Sequence, residues 1–184
     1  MPQPAAEKKQ LNWGIIGAGS IARGAMAPAI KKAGRLYAVA SRDAERAAQI
    51  AGELGAERHY ASYEELLNDP DVEAVYLGLP NGLHEEWTLA AAGAGKHILS
   101  DKSLTFTAES AIRMREKCKA AGVLLMEGFM YRHHPQWRVV LDWMRAGKIG
   151  QLRAIRGTFT GMLADMSKHR WSPTLGKGCL FDIT

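Results

Sequence analysis

The pattern Gly17-x-Gly19-x-x-Ala22 and the single Lys102 are where residue types and spacing in this sequence carry the most chemistry. The glycines follow an apolar run at residues 11–16 and open an alanine-rich stretch. At a strand-to-helix turn the first glycine permits the tight turn, and the second lets the backbone approach a pyrophosphate. The third small residue lets helix and strand pack closely. Backbone N–H groups of the turn residues, Gly17, Gly19, Ser20, Ile21 and Ala22, then face the phosphates at a helix start, where the dipole favours negative charge. The same pattern occurs in plain glycine-rich turns and in sites for other nucleotides, such as methyl donors. A strand-helix-strand context selects the dinucleotide reading.

A second strand reading, residues 36–40, is followed by Ser41, Arg42 and Asp43. Sites for NAD place an acidic residue near this point to bond the ribose hydroxyls, whereas a serine and an arginine suit a 2′-phosphate. The expectation is therefore NADP, with NAD as the alternative and with Arg42 as a plain solvated residue before a helix as the other reading. Three further clusters follow. Leu79-Pro80-Asn81-Gly82-Leu83-His84 lies at the carboxyl end of a strand, where ligands bind in doubly wound sheets; Asn81 also reads as a helix cap and His84 as a surface histidine. Ser100-Asp101-Lys102-Ser103 ends the next strand. Oxidation of an alcohol needs the hydroxyl proton held or taken as the C–H bond breaks, and a lysine can do this, its pKa falling readily when desolvated. An exposed loop lysine is the other reading. The third cluster, residues 127–135, includes Arg132 and the adjacent His133 and His134. Neighbouring histidines rarely address one ion, and no metal is expected.

The elements that must position these groups alternate. Strands are expected at residues 11–16, 36–40, 74–79, 97–100 and 123–126, and helices at 20–32, 43–54, 62–67, 84–93 and 108–121. Asp43 caps one helix and Gly55 ends it; Ser62 and Glu65 form a capping-box start for another. This alternation predicts an α/β fold, a Rossmann-type doubly wound parallel sheet covered on both faces. A helix at 135–146 and an alternating strand at 152–160 then read as the start of an incomplete α+β second domain. The expected division is a loose tail over 1–10, a cofactor domain over 11–130 and that second unit over 131–184.

Composition sets the outer bounds. Of 184 residues, 47% are apolar and 23% charged, so the chain has the makings of a globular core. The net charge of +5 is spread out, with no basic run beyond lysine pairs and no nucleic-acid module, so nucleic acid is not expected as a partner. Cys118 and Cys179 stand far apart and read as reduced thiols of a cytoplasmic protein. The polar start reads as no secretory signal, and no run is long and apolar enough for a membrane span.

The stretches 13–22, 80–84, 95–104 and 127–132, in that order, resemble the glucose–fructose oxidoreductase/inositol dehydrogenase (Gfo/Idh/MocA) family. The tyrosine-arginine stretch is nearest its NADP-dependent pentose and trans-dihydrodiol dehydrogenases. The resemblance implies a nicotinamide-dependent oxidoreductase acting on a sugar or cyclic polyol, and Lys102 as the residue that handles the substrate hydroxyl. It implies cofactor contacts from Pro80, Asn81, His84, Asp101, Lys102 and Arg132, and homo-oligomers among full-length relatives. The family's Glu-Lys-Pro reads Asp101-Lys102-Ser103 here, without the proline that often brings a cis peptide. Asp182 matches the aspartate of an Asp-x-Gly-x-His/Tyr motif, with Thr184 where glycine is expected. The motif's acid/base residue would be the second beyond Thr184, so the chain reads as C-terminally truncated. A non-catalytic nucleotide-binding or interaction module is the rival reading. Trp137, Trp143, Phe159, Trp171 and Phe181 are expected to be partly exposed.

Overall fold

The computed structural model of the chain describes residues 10–158, 160 and 171–178. Six strands, β1 (Asn12–Ile16), β2 (Arg35–Ala40), β3 (Arg58–Tyr60), β4 (Ala74–Leu77), β5 (His97–Ser100) and β6 (Leu125–Glu127), form one sheet. Its order is β3-β2-β1-β4-β5-β6, and every neighbouring pair is parallel. The helices are α1 (Ala27–Ala33), α2 (Ala44–Leu54), α3 (Tyr63–Asn68), α4 (His84–Gly93), α5 (Ala108–Ala120) and α6 (Pro135–Arg145). The chain builds outward from β1 to β3, then crosses back to β4 on the other side of β1. The carboxyl ends of β1 and β4 thus meet at a topological switch point, the place where doubly wound sheets bind ligands.

Side-chain alternation explains why the strands are apolar at almost every position. Ile15, Val39 and Tyr76 point to one face, where they pack on Ala27 and Ile30 of α1 and Ile50 of α2. Ile16, Ala38, Ala40, Val75, Leu77 and Ile98 point to the other, against Tyr63 and Leu66 of α3, Ala91 and Ala92 of α4 and Cys118 of α5. A strand buried on both faces needs a continuous apolar run rather than an alternating one. Each fully buried aliphatic here contributes roughly 1.5–3 kcal/mol of transfer free energy.

The helix boundaries follow from side-chain caps. Asp43 Oδ1 accepts from Arg46 N at 2.7 Å, and Gly55 ends α2 with φ of +62°. Ser62 Oγ accepts from Glu65 N at 3.1 Å, while the Glu65 carboxylate takes the Ala61 N–H, one residue before the cap. Thr107 caps α5 through Ser110 N.

The structure departs from the sequence-based expectation in three places. The helix expected over 20–32 begins at Ser20 as read, but Ala22–Met26 form a wide π turn within it, marked by Ala27 N donating to Ala22 O, before α1 continues to Ala33. Pro28, which has no N–H, removes one donor from the i→i−4 ladder just after that turn. β3 was not expected: it is three residues long, on the sheet edge, with Arg58 and His59 exposed, so it has no apolar signature. The strand expected at 152–160 is absent from the described residues 152–158, which pair with no neighbour. A strand without ladder partners and a covered face is not stable alone. The helix expected at 135–146 is α6, and none of its residues is buried. Trp137, Trp143 and Trp171 are indeed half exposed, whereas Phe159 and Phe181 lie outside the described residues. No helix among the described residues is long and apolar enough to cross a membrane.

Candidate cofactor cleft and lysine loop

β1 runs into Gly17, whose φ is +80°. A Cβ on Gly17 would stand 2.6 Å from Leu79 Cδ2 and 2.7 Å from the Gly78 carbonyl oxygen. A Cβ on Gly78 would stand 2.6 Å from the Gly17 carbonyl oxygen. Gly78 N donates to Ile16 O at 2.8 Å. The turns after β1 and β4 therefore close on each other main chain to main chain, with the Leu79 and Tyr76 side chains packed beside them. A Cβ on Gly19, by contrast, would meet nothing within 4 Å, so the space above the helix start is open. Arg23 pins this turn: its Nε donates to Ala18 O at 3.1 Å and its Nη1 to Glu53 at 2.8 Å.

The open space is part of a cleft of about 450 Å³ along the carboxyl edge of β2, β1 and β4. Gly17, Ala18 and Gly19 form one wall, Ser41, Arg42, Asp43 and Arg46 a second, and Gly78, Leu79 and Pro80 a third, with Tyr63 beside them. Arg42 stands beside the Tyr63 hydroxyl. Burial raises the Tyr63 phenol pKa, and the charges of Arg42 and Arg46 oppose that rise, which puts both cations at the same end of the cleft. The acidic lining residue, Asp43, spends one oxygen on the Arg46 N–H of the helix cap. Two guanidinium groups, a serine hydroxyl and a helix start facing an open cavity make a receptor for phosphate groups. A flat, extended ligand with phosphates at its centre and on one ribose fits these residues.

The next two loops lie alongside. Asp101 N donates to Leu77 O at 3.0 Å, which sets the Asp101-Lys102 turn against the end of β4. Asp101 is held at both oxygens: Oδ1 accepts from Lys102 N at 2.8 Å and Oδ2 from the Tyr76 hydroxyl at 3.2 Å. Burial, then Asp101, raises the Tyr76 phenol pKa. The Lys102–Ser103 peptide bond is cis with serine in the family's proline position. Glu127, at the end of β6, accepts from Leu104 N at 2.7 Å. His84 is fully buried, with Nδ1 2.8 Å from Ser103 O and Nε2 2.9 Å from Leu79 O.

Residues 11–129 match the family model described as "Oxidoreductase family, NAD-binding Rossmann fold", GFO_IDH_MocA. The chain belongs to the Gfo/Idh/MocA family. Among its relatives, the D-xylose 1-dehydrogenase (NADP(+)) 2 of Haloferax volcanii is 39% identical over 173 residues, covering 93% of this chain and 53% of that protein. The crystal structure of KijD10, a 3-ketoreductase from Actinomadura kijaniata in complex with NADP and TDP-benzene, superposes with a TM-score of 0.89 at 37% identity, over 95% of this chain and 54% of that one. A levoglucosan dehydrogenase in complex with NADH and levoglucosan superposes with a TM-score of 0.85 at 29% identity, over 95% and 51%. This Gfo/Idh/MocA chain spans about half the length of the curated relatives it matches.

Within this family fold the structure gathers five of the expected cofactor residues, Gly17, Gly19, Ser41, Arg42 and Pro80, around one cleft. Asp101 and Lys102 sit partly buried on the adjoining loop. Ser20 and Ile21 are exposed at the helix start, and Ala22 is buried against the sheet. Asn81 and His84 are buried in the protein and are not among the residues around the cleft. Arg132 is exposed on the short turn Met130–His133 after β6 and is not among the residues around the cleft. Asp182 lies outside the described residues. Sequence reasoning missed Arg46, Tyr63 and Gly78. Arg46 had a legible signal, standing one turn into the helix that Asp43 caps; Gly78 and Tyr63 come from other elements and had none. Among the described residues no group of three or more His, Cys, Asp or Glu is placed to hold a metal ion.

Proposed function

We propose that this chain carries the cofactor half of an NADP-dependent oxidoreductase acting on a sugar or cyclic polyol. The observation that carries the reading is the pair Arg42 and Arg46 beside Ser41 at one end of the switch-point cleft. There they fit a ribose 2′-phosphate, where an NAD site would place a carboxylate. The glycine turn and the first N–H groups of the helix would hold the pyrophosphate. When bound, the nicotinamide cofactor supplies the hydride acceptor or donor for the substrate carbinol carbon. Lys102, on the partly buried loop beside the cleft, would hold the substrate oxygen and its proton. Asp182 is assigned to assist it. In this reading residues 11–130 form the cofactor unit and residues 131–184 begin the substrate unit. The ligand is a small sugar or polyol, the setting is the cytoplasm, and neither nucleic acid nor membrane takes part.

The test is to incubate the chain with NADP⁺ and a panel of aldoses and cyclic polyols and follow reduced nicotinamide by absorbance. Turnover that falls about 10²-fold or more in Lys102→Met, with cofactor affinity unchanged, is the expected result for a positioned acid or base. Cofactor binding with no turnover across the panel would instead favour a non-catalytic binding module. Turnover left unchanged in Lys102→Met would remove the lysine from the chemistry.

A further inference from the structure

Arg23 holds the glycine turn by two of its groups at once. Its Nε donates to the Ala18 carbonyl at 3.1 Å, and its backbone N–H donates to the Gly19 carbonyl at 3.1 Å. These oxygens belong to consecutive peptide units of the turn. Both units are trans, so in each the carbonyl and the following N–H point to opposite sides of one rigid plane. Drawing the Ala18 oxygen to Arg23 turns the Gly19 N–H away from Arg23. Drawing the Gly19 oxygen down the helix turns the Ser20 N–H out past the helix start. Ala18 and Gly19 line the cleft, and Arg23 is not among the residues around it.

Glycine at position 19 gives this hold its purpose. A Cβ there would meet nothing within 4 Å, so neither a side chain nor its neighbours restrain the backbone. A peptide unit between Ala18 and Gly19 that turned over would present its carbonyl oxygen to the cleft, where an anion is repelled.

The guanidinium is itself braced. Its Nη1 donates to Glu53 Oε2 at 2.8 Å, and Gln49 Nε2 donates to Glu53 Oε1 at 2.8 Å. Gln49 and Glu53 belong to α2, the helix whose start brings Asp43 and Arg46 to the cleft. We infer that Arg23 is a positioning residue: braced by Glu53, it sets the peptide planes after Ala18 and Gly19 so that the Gly19 and Ser20 N–H groups face the cofactor's pyrophosphate. This rests on the reading of the cleft as a dinucleotide site. The charge of Arg23 is matched by Glu53, so its part is to aim these donors and not to bind phosphate itself. The pair is partly exposed, and an exposed ion pair adds little to stability. Its loss is therefore felt in the turn and not in the fold.

Arg23→Lys, Arg23→Met and Glu53→Ala test this in the whole chain. NADPH and NADH are titrated by nicotinamide fluorescence, and adenosine 2′-monophosphate, which has no pyrophosphate, by calorimetry. Each variant should weaken both dinucleotides by the same factor, roughly tenfold, the loss of one hydrogen bond to a charged group. Affinity for adenosine 2′-monophosphate and the thermal midpoint should stay unchanged. The sign in Glu53→Ala separates aiming from direct binding. Removing a carboxylate beside a phosphate ligand would tighten the dinucleotide, whereas removing a brace weakens it. Tighter or unchanged binding in Glu53→Ala would overturn the inference. So would full affinity in Arg23→Lys, which keeps the charge but not the planar fork, or an equal loss of adenosine 2′-monophosphate. Nitrogen-15 NMR of the cofactor-free chain keeps the two readings apart. The Gly19 and Ser20 amide signals should be sharp in the wild type and broadened by conformational exchange in Arg23→Met and Glu53→Ala. Amides unchanged in both variants would overturn the inference alone. A wild-type chain that binds neither dinucleotide would overturn the cofactor reading, while the amides still report on the brace.

Discussion

Arg42 and Arg46 are the residues on which cofactor choice turns. A hydrogen bond to a charged group contributes about 1.5–3 kcal/mol, so Arg42→Ala and Arg46→Ala should each weaken NADPH binding roughly ten- to a hundredfold. NADH affinity should stay within a factor of about two, read by the same fluorescence titration. Thr88 gives a stability prediction at the same scale. Its hydroxyl is buried and has no hydrogen-bond partner among the described residues. An unsatisfied buried polar group costs about 1–3 kcal/mol, and valine keeps the shape, so Thr88→Val should raise the unfolding free energy by about 1 kcal/mol in urea titrations. Gly17, Gly19, Ser41 and Arg42 were legible in the sequence because their role depends on near neighbours in the chain. Arg46 needed the helix geometry of α2. Tyr63 and Gly78 needed the sheet order, which brings β4 and α3 to the β1–β2 turns.

At the scale of elements, α4 and α5 are joined by a polar tie whose pH dependence has a definite sign. The Ser110 hydroxyl first, and Arg113 after it, hold the Glu85 carboxyl below its ordinary range against the opposing effect of burial. A carboxyl with a lower pKa folded than unfolded stabilises the fold at and above the ordinary carboxylate range. That stabilisation is lost as the pH falls through its folded value. Glu85→Gln should therefore lower stability near neutral pH and flatten the acid side of the stability profile, as seen by thermal unfolding across pH. The caps Asp43 and Ser62 were legible because each bonds an N–H three residues on; Thr107, not read as a cap, does the same for α5. The wide turn Ala22–Met26 and β3 were not legible. The first depends on how Pro28 interrupts the hydrogen-bond ladder, and the second on a three-residue edge pairing with no apolar pattern.

At the scale of the whole chain, burial is uneven. The buried apolar residues run from Ile15 to Cys118, and those described after Glu127 contribute exposed apolar side chains such as Met130, Trp143 and Ile155. Local opening is easiest where few apolar contacts are buried. Trypsin should therefore cut first after Lys148, Arg153 or Arg156, all exposed, and leave a resistant fragment holding the six-stranded sheet, as mass spectrometry of a time course will show. The parallel sheet was legible from alternation alone, because the central strands β1, β2 and β4 are buried on both faces and each is followed by a helix. The strand read at 152–160 was not realised over the described residues 152–158, since its apolar alternation had no neighbouring strand to pair with. The central claim is that the switch-point cleft holds NADP, and titrating the chain with NADPH and with NADH, followed by nicotinamide fluorescence, tests it most directly. Saturable binding with NADPH at least tenfold tighter than NADH is the predicted result; no saturable binding, or equal affinity for the two, would contradict it.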